Sequence, residues 1–174
     1  MPTPDLVVRP ARAGEGELLG AIGFDAWVRG VISTAGGPDV DHEHVKAQFV
    51  DFCIAGYATI LVAELDGRPV GWGAREHWDN TVTDLWVSPK AQGLGVGRVL
   101  LQTLENDIAR AGYSAAELEA AAVNAGGIRF YERGGYRLVW RQVKFSRRLG
   151  KEVEKVGLVK PLEPGAPSNM RSSF

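Results

Sequence analysis

A strand that leads through a glycine-rich loop into a helix lies in the middle of this 174-residue chain. Residues 85–89 read as an apolar strand closed by proline, and Gly93, Gly95 and Gly97 follow at alternate positions. Glycine lacks a Cβ, so its backbone can approach a ligand closely. The start of the following helix offers free N–H groups and the positive end of the helix dipole. The pattern therefore predicts an anion site, with phosphate or pyrophosphate as its natural ligand.

Two common phosphate-binding loops do not fit this segment. A triphosphate loop requires lysine and then a hydroxyl residue after its last glycine, but Arg98 and Val99 follow Gly97. The dinucleotide fingerprint requires a third glycine at the position that Arg98 occupies. A tight strand-to-helix turn that binds nothing is the alternative that the loop leaves open.

A second motif lies downstream, between residues 124 and 136. It resembles the signature Asn-x-x-x-x-x-Phe-Tyr-x-x-x-Gly-Phe/Tyr, and the matching residues are Asn124, Phe130, Tyr131, Gly135 and Tyr136. Together with the loop order Gln-x-x-Gly-x-Gly, this motif makes the chain similar to the GNAT N-acetyltransferase superfamily. The departure is a pair of glycines at 126–127, which cost about 1 kcal/mol each relative to alanine in a helix and predict a frayed first turn.

The apolar patterns predict one α/β domain over residues 1–162, in the order β-α-α-β-β-β-α-β-α-β-β. The predicted strands cover residues 6–9, 59–65, 69–78, 82–87, 114–122, 136–145 and 156–162. The predicted helices cover 14–31, 41 onward, 96–112 and 124–134, and residues 33–41 are read as a loop. The resemblance implies the GNAT fold, a mixed and mainly antiparallel sheet of about seven strands with about four helices, in which the fourth and fifth strands splay apart. Residues 163–174 are rich in proline, glycine and serine and read as a disordered tail.

The resemblance also implies acetyl-CoA as cosubstrate, without a metal. The implied binding residues are Leu85, Trp86, Val87, Gln92, Gly93, Leu94, Gly95, Val96, Gly97, Asn124 and Tyr131. Leu85 and Val87 would offer backbone groups to the pantetheine arm as an added strand does. Asn124 would hydrogen-bond a pantetheine amide, although capping its own helix is a sufficient structural reason for this residue.

Acyl transfer to an amine requires a base for the acceptor and an acid for the leaving thiolate. The family's matching tyrosine makes Tyr131 the candidate acid, since a phenol is protonated at neutral pH; the alternative is a core aromatic. Glu119 is the candidate base, because its spacing from Asn124 resembles the ribosomal-protein N-terminal acetyltransferase branch. A solvated carboxylate is the competing interpretation of Glu119. Glu76, His77 and Asp84, expected on neighbouring strands, are alternative bases that would act through water.

Composition and charge narrow the possible partners and location of the protein. The formal net charge of −1 does not suggest a nucleic-acid-binding surface, and no apolar stretch is long enough to span a membrane. A single cysteine, Cys53, permits no internal disulfide and agrees with a reducing cytoplasm. We expect an N-acetyltransferase that acts on a small amine, a lysine or a peptide N-terminus, and a homodimer is left open. The alternatives are an acyl-CoA sensor without turnover and an acyltransferase with a longer donor. Trp27, Trp78 and residues 30–41 are expected around the acceptor, and Trp72 and Trp86 near the acyl group.

Overall fold

The computed structural model describes residues 5–32 and 39–163. Its strands are β1 (Leu6–Pro10), β2 (Ile60–Leu65), β3 (Arg68–Ala74), β4 (Asp84–Val87), β5 (Ala115–Ala121), β6 (Arg137–Ser146) and β7 (Lys151–Pro161). Its helices are α1 (Gly16–Trp27), α2 (His42–Ala55), α3 (Val96–Arg110) and α4 (Ala125–Arg133). Short helical turns cover Val28–Ile32, Tyr57–Thr59 and Pro89–Ala91. The predicted order of elements is confirmed. The predicted loop lies mostly outside the described residues, as does the predicted tail after Glu163.

The strands form two antiparallel sheets that touch at one place. One sheet has the order β1-β2-β3-β4 and the other has the order β5-β7-β6. In the described part of the chain, the sheets are joined by a parallel bridge between Thr81 and Glu117. The N–H of Val82 donates to the carbonyl of Glu117 at 2.9 Å, and no ladder continues between β4 and β5 beyond this point. The fourth and fifth strands therefore splay apart, as the resemblance implied.

Local sequence explains the best-defined elements. In the β2–β3 hairpin, Asp66 and Gly67 both have positive φ, at 51° and 74°, which suits the right-handed twist of the flanking strands. Along α3, the predicted apolar spacing of four residues is confirmed. The residues of that face are at most 1% exposed, namely Val96, Leu100, Leu104 and Ile108.

Helix α1 packs unusually close to α2 through its glycines. A Cβ on Gly20 would lie 2.6 Å from the Cα of Val50, and one on Gly23 would lie 2.7 Å from the ring of Phe49. In the sequence these glycines look like interruptions of the apolar pattern. The structure shows that they form the contact face itself, because no larger side chain fits between the two backbones.

Two predicted strand boundaries are wrong. Strand β3 ends at Ala74 rather than residue 78, because the guanidinium of Arg75 donates to the carbonyls of Trp78 and Asp79 and holds a turn there. Strand β7 begins at Lys151 rather than residue 156, because it pairs with β6 as a long hairpin. Charged residues occupy this added stretch, including Glu154 in an ion pair with Arg141, so it lacks the apolar signal of a strand.

Candidate active site

The glycine loop has the conformation that its composition predicts. Gly93 and Gly95 have φ of 79° and 83°, a region that other residues rarely adopt. Gly95 is also the N-cap residue of α3. Added Cβ atoms would meet nothing within 4 Å, so backbone conformation rather than space requires glycine at both positions. Gly97 differs, because its Cβ would lie 3.3 Å from the ring of Phe130 on α4.

A cavity of about 500 Å³ lies over this loop and the start of α4. It is called the loop cavity below. Ten of the predicted binding residues line it: Leu85, Trp86, Val87, Gln92, Gly93, Gly95, Val96, Gly97, Asn124 and Tyr131. Leu94 is not among the lining residues, and its side chain is 54% exposed. The sequence reading placed Arg98 at the start of the helix, and its side chain joins the wall.

A second cavity, of about 390 Å³, lies on the other side of the splayed strands. It is called the carboxylate cavity because Asp84 and Glu119 both line it. Apolar side chains from α1, β7 and the β6–β7 turn complete the wall, among them Trp27, Leu149 and Val153.

The two cavities share four residues. Leu85 and Trp86 on β4 and Asn124 and Tyr131 at α4 line both of them. These residues flank the gap that opens where β4 and β5 separate. A molecule in the loop cavity and another in the carboxylate cavity would therefore meet at Tyr131.

Tyr131 occupies this junction in its protonated form. Burial and the negative charge of Asp84 raise the pKa of its hydroxyl well above the ordinary value of 10. Its ring packs edge-on against Phe130 and Tyr136, with centroids 5.3 and 5.8 Å away. Within the described part of the chain, no group hydrogen-bonds the Tyr131 hydroxyl, so its proton is available to a ligand.

Asn124 caps the helix that carries Tyr131. Its side-chain oxygen accepts a hydrogen bond of 2.9 Å from the N–H of Gly127. A Cβ on Gly127 would lie 2.5 Å from the Asn124 amide nitrogen, which explains one of the two glycines that depart from the family motif. The cap satisfies an N–H of the glycine-containing first turn, which begins at Ala125.

The two carboxylates differ in their surroundings. Asp84 has a side chain only 10% exposed, accepts a 2.9 Å hydrogen bond from the indole N–H of Trp86, and has a pKa raised by burial. Glu119 is 38% exposed, forms a direct ion pair with Lys144, and lies 3.6 Å from the ammonium of Lys155. Neighbouring Leu118 is buried, as the predicted strand alternation requires.

Comparison with known proteins agrees with this geometry. The family model described as Acetyltransferase (GNAT) family matches residues 28–136, more than half of the chain. The chain belongs to the GNAT acetyltransferase family. An uncharacterized N-acetyltransferase of Methanocaldococcus jannaschii is 35% identical over 109 residues, covering 57% of this chain and 69% of that protein.

Solved structures show that the whole architecture is shared. A GCN5-related N-acetyltransferase from Rhodopseudomonas palustris superposes with a TM-score of 0.73 at 24% identity, covering 93% of this chain and 98% of the other. The PaiA N-acetyltransferase of Thermoplasma acidophilum, solved in complex with coenzyme A, gives 0.68 at 16% identity, covering 91% and 99%. At such identities these structures show the fold alone, so the ribosomal-protein branch stays a prediction.

The structure changes several expectations about the alternative bases and about the tryptophans near the substrates. Glu76 and His77 lie in the turn after β3 rather than on a strand, and only His77 lines the carboxylate cavity. Trp72 is fully buried in the core, where its indole N–H donates to the carbonyl of Leu19 at 2.7 Å. Trp78 is 61% exposed and lines neither cavity, so of the expected acceptor-site tryptophans only Trp27 is in place.

Other cavity residues give no local sequence signal. Arg29 and Arg133 line the loop cavity, while Arg148 and Lys155 line the carboxylate cavity. An isolated basic residue in a helix or turn usually faces solvent, and only the tertiary fold brings these four to cavity walls. In the sequence, the charged residues around Lys155 in β7 look like those of a solvent-exposed edge strand.

The described residues contain neither a clustered set of metal ligands nor a reactive cysteine. No group of three or more histidine, cysteine, aspartate or glutamate residues among them could hold a metal ion. Burial raises the pKa of the Cys53 thiol to about 12, so this cysteine is a core residue rather than a nucleophile. Within the same residues, no helix has the length and apolar character needed to cross a membrane.

Proposed function

We propose that this GNAT protein transfers the acetyl group of acetyl-CoA to a primary amine by direct attack in a ternary complex. The observation that carries the proposal is the junction at Tyr131, where the loop cavity and the carboxylate cavity share a wall. Two substrates that enter from opposite sides would bring their reacting atoms to this point.

The loop cavity fits coenzyme A. Gly93 and Gly95 keep side chains away from the ligand, and the free N–H groups at the start of α3 suit the pyrophosphate. The exposed backbone of β4 between Leu85 and Val87 suits an extended pantetheine arm, since none of the described strands pairs with it on the β5 side. Leu94 lies in the same loop, and because its side chain is exposed, only its backbone would contact the cofactor.

Acetyl-CoA supplies an activated acetyl group: the amine nitrogen bonds to the thioester carbon, and the carbon–sulfur bond breaks. Tyr131 donates its proton to the departing sulfur, for which it is placed by its position at the junction and by a hydroxyl without a partner in the described residues. The attacking nitrogen loses its second proton as the amide forms, and this proton restores the Tyr131 hydroxyl. Trp27 and Trp86 contribute apolar surface to the wall of the carboxylate cavity. No covalent enzyme intermediate is needed, since the thioester is already reactive.

The acceptor ammonium must lose a proton before it attacks, and we assign this proton to Asp84. A carboxylate with a raised pKa is the better base, and Asp84 lies close enough to Tyr131 to affect its ionisation. Glu119, the base first predicted from the sequence, is the rival. Its carboxylate forms an ion pair with Lys144, so an acceptor ammonium would have to displace that lysine to reach it.

The test is an amine screen with acetyl-CoA and detection of the released thiol, using small amines, amino acids and peptides with free N-termini. Amine-dependent thiol release together with the acetylated amine in mass spectrometry would support the proposal. Tight acetyl-CoA binding without transfer to any amine would favour the sensor alternative. Turnover confined to longer acyl-CoA donors would show an acyltransferase with a longer donor, the other alternative. The cytoplasmic location and a homodimer stay predictions.

A further inference from the structure

An arginine with unused hydrogen-bond donors faces the carboxylate cavity. Arg148 lies in the turn between β6 and β7, and its side chain is 29% exposed. Its guanidinium carbon lies 4.0 Å from the ring centroid of Phe49 and 5.6 Å from that of Trp86. Aromatic contacts thus hold the planar group in one orientation at the wall of the cavity.

The donors of this guanidinium are not satisfied by the protein. An arginine carries five N–H donors. Because the Arg148 side chain is 29% exposed, its donors face the open space of the cavity rather than the closed core. The nearest carboxylate oxygen, Oδ1 of Asp84, is 3.8 Å away, which is too long for a hydrogen bond. Across residues 5–32 and 39–163, no group accepts a hydrogen bond from Arg148. The side chain is therefore prepared to receive an anion inside the cavity.

Arg148 and Asp84 present opposite charges side by side. The other pair in the wall, Lys155 and Glu119, is 3.6 Å apart. The two cations are almost equally exposed, at 28% for Lys155 and 29% for Arg148. The carboxylates differ, because Glu119 is 38% exposed and Asp84 only 10%. His77 is 65% exposed at the rim. Asp84 is thus the more buried carboxylate and the one whose charge reaches Tyr131, and Arg148 is the cation beside it.

We infer that the acceptor is a free α-amino acid, whose carboxylate binds Arg148 and whose ammonium group binds Asp84. In such a compound the ammonium and carboxylate groups are bonded to the same carbon, and the two protein groups likewise lie side by side, 3.8 Å apart. The apolar wall of Trp27, Leu149 and Val153 would surround its side chain. This inference rests on the proposed function. It disfavours polyamines, lysine side chains and protein N-termini, because none of them has a free carboxylate beside the reacting amine.

The experiment compares matched acceptors. The twenty L-amino acids are assayed with acetyl-CoA beside their carboxamides, and β-alanine serves as a spacing control for glycine. The inference predicts at least one amino acid whose kcat/KM exceeds that of its amide by about 10²-fold, the loss expected for a charge-assisted bidentate hydrogen bond. An amide has the more easily deprotonated amine, so intrinsic reactivity works against the predicted preference.

Variants of Arg148 assign the preference to this residue. Arg148→Met should raise KM for the amino acid about 10²-fold more than it raises KM for the amide, whereas Arg148→Lys should restore part of the affinity for the amino acid. Calorimetry with unmodified coenzyme A present gives a readout without turnover: the preferred amino acid should bind the parent protein and not Arg148→Met. Near-UV circular dichroism checks that each variant is folded.

The outcomes separate this inference from the proposed function. The amino acid acceptor is overturned, while acetyl transfer stands, if amino acids and their amides have equal kcat/KM. The same holds if Arg148→Met lowers kcat/KM equally for both. A protein that binds acetyl-CoA but acetylates no amino acid overturns it as well. Failure to bind acetyl-CoA at all overturns the proposed function itself.

Discussion

Tyr131 is the residue on which the proposed chemistry depends most. Its hydroxyl lies at the junction of the cavities, and burial together with Asp84 keeps it protonated across the physiological range. The neighbouring Tyr136 is an internal comparison, since its ring is only 5.8 Å from that of Tyr131 but lines neither cavity. The Tyr136 hydroxyl is buried without a hydrogen-bond partner among the described residues.

Replacing Tyr131 by phenylalanine should lower kcat about 10²-fold, the usual effect of losing a general acid. Binding of acetyl-CoA should change little, because only one hydroxyl is removed. Steady-state kinetics and calorimetry measure the two effects separately. Tyr136→Phe is the matched control and should keep the parent kcat. Equal turnover by Tyr131→Phe and the parent would return Tyr131 to the role of a core aromatic.

The identity of the base can be read from pH–rate profiles. The pKa of Asp84 is raised above its ordinary 3.8, and a carboxylate acts as a base only above its pKa. The kcat/KM of the parent should therefore fall as pH drops through this raised pKa. Asp84→Asn should lose this limb and about 10²-fold of the rate at neutral pH, with recovery as rising pH supplies free amine. If Asp84→Asn instead keeps the pH–rate profile of the parent, and Glu119→Gln loses the acid limb and the rate at neutral pH, the base is Glu119.

At the scale of elements, the glycine loop is a prediction that local chemistry could support. Positive φ at Gly93 and Gly95 follows from a strand that turns sharply into a helix, and a short stretch of sequence contains all the relevant residues. Arg148 could not be predicted in this way. Its role depends on Phe49 and Trp86, which lie far away along the chain and are brought to it by α2 and β4.

Gly95→Val should abolish acetyl-CoA binding and leave the fold intact. The variant places a β-branched residue at a φ of 83°, which disturbs the loop backbone whose N–H groups would bind the pyrophosphate. Gly67→Val is the control, because Gly67 has a φ of 74° and equal free space in the β2–β3 turn. Calorimetry on both folded variants should show binding only for Gly67→Val; retained affinity in Gly95→Val would remove the loop from the proposed site.

The contact between α1 and α2 gives a prediction about stability. Gly20→Ala should lower the free energy of unfolding by about 1–3 kcal/mol, because its Cβ would overlap the backbone of Val50. Gly126→Ala is also a helical substitution, but its Cβ would meet nothing within 4 Å, so it should stabilise the protein by up to about 1 kcal/mol. Urea denaturation measures both changes. A Gly20→Ala variant as stable as Gly126→Ala would contradict the close packing.

At the scale of the whole molecule, the site exists because two sheets meet and then separate. Backbone hydrogen bonds join them at Thr81 and Glu117, and the gap beyond this bridge contains both cavities. The order of the strands along the chain was predictable from alternation, from turn residues and, for β5, from its position between two helices. The pairing of β7 with both β5 and β6 was not, because half of β7 is charged and its partners are distant in sequence.

The central claim is that the acetyl group passes directly from acetyl-CoA on one side of this gap to an amine on the other. Initial rates measured over a grid of both substrate concentrations test it, with mass spectrometry of the intact protein after incubation with acetyl-CoA alone. We predict double-reciprocal lines that intersect and a protein of unchanged mass, as a ternary complex requires. Parallel lines together with an acetylated protein would show a covalent intermediate and contradict this account.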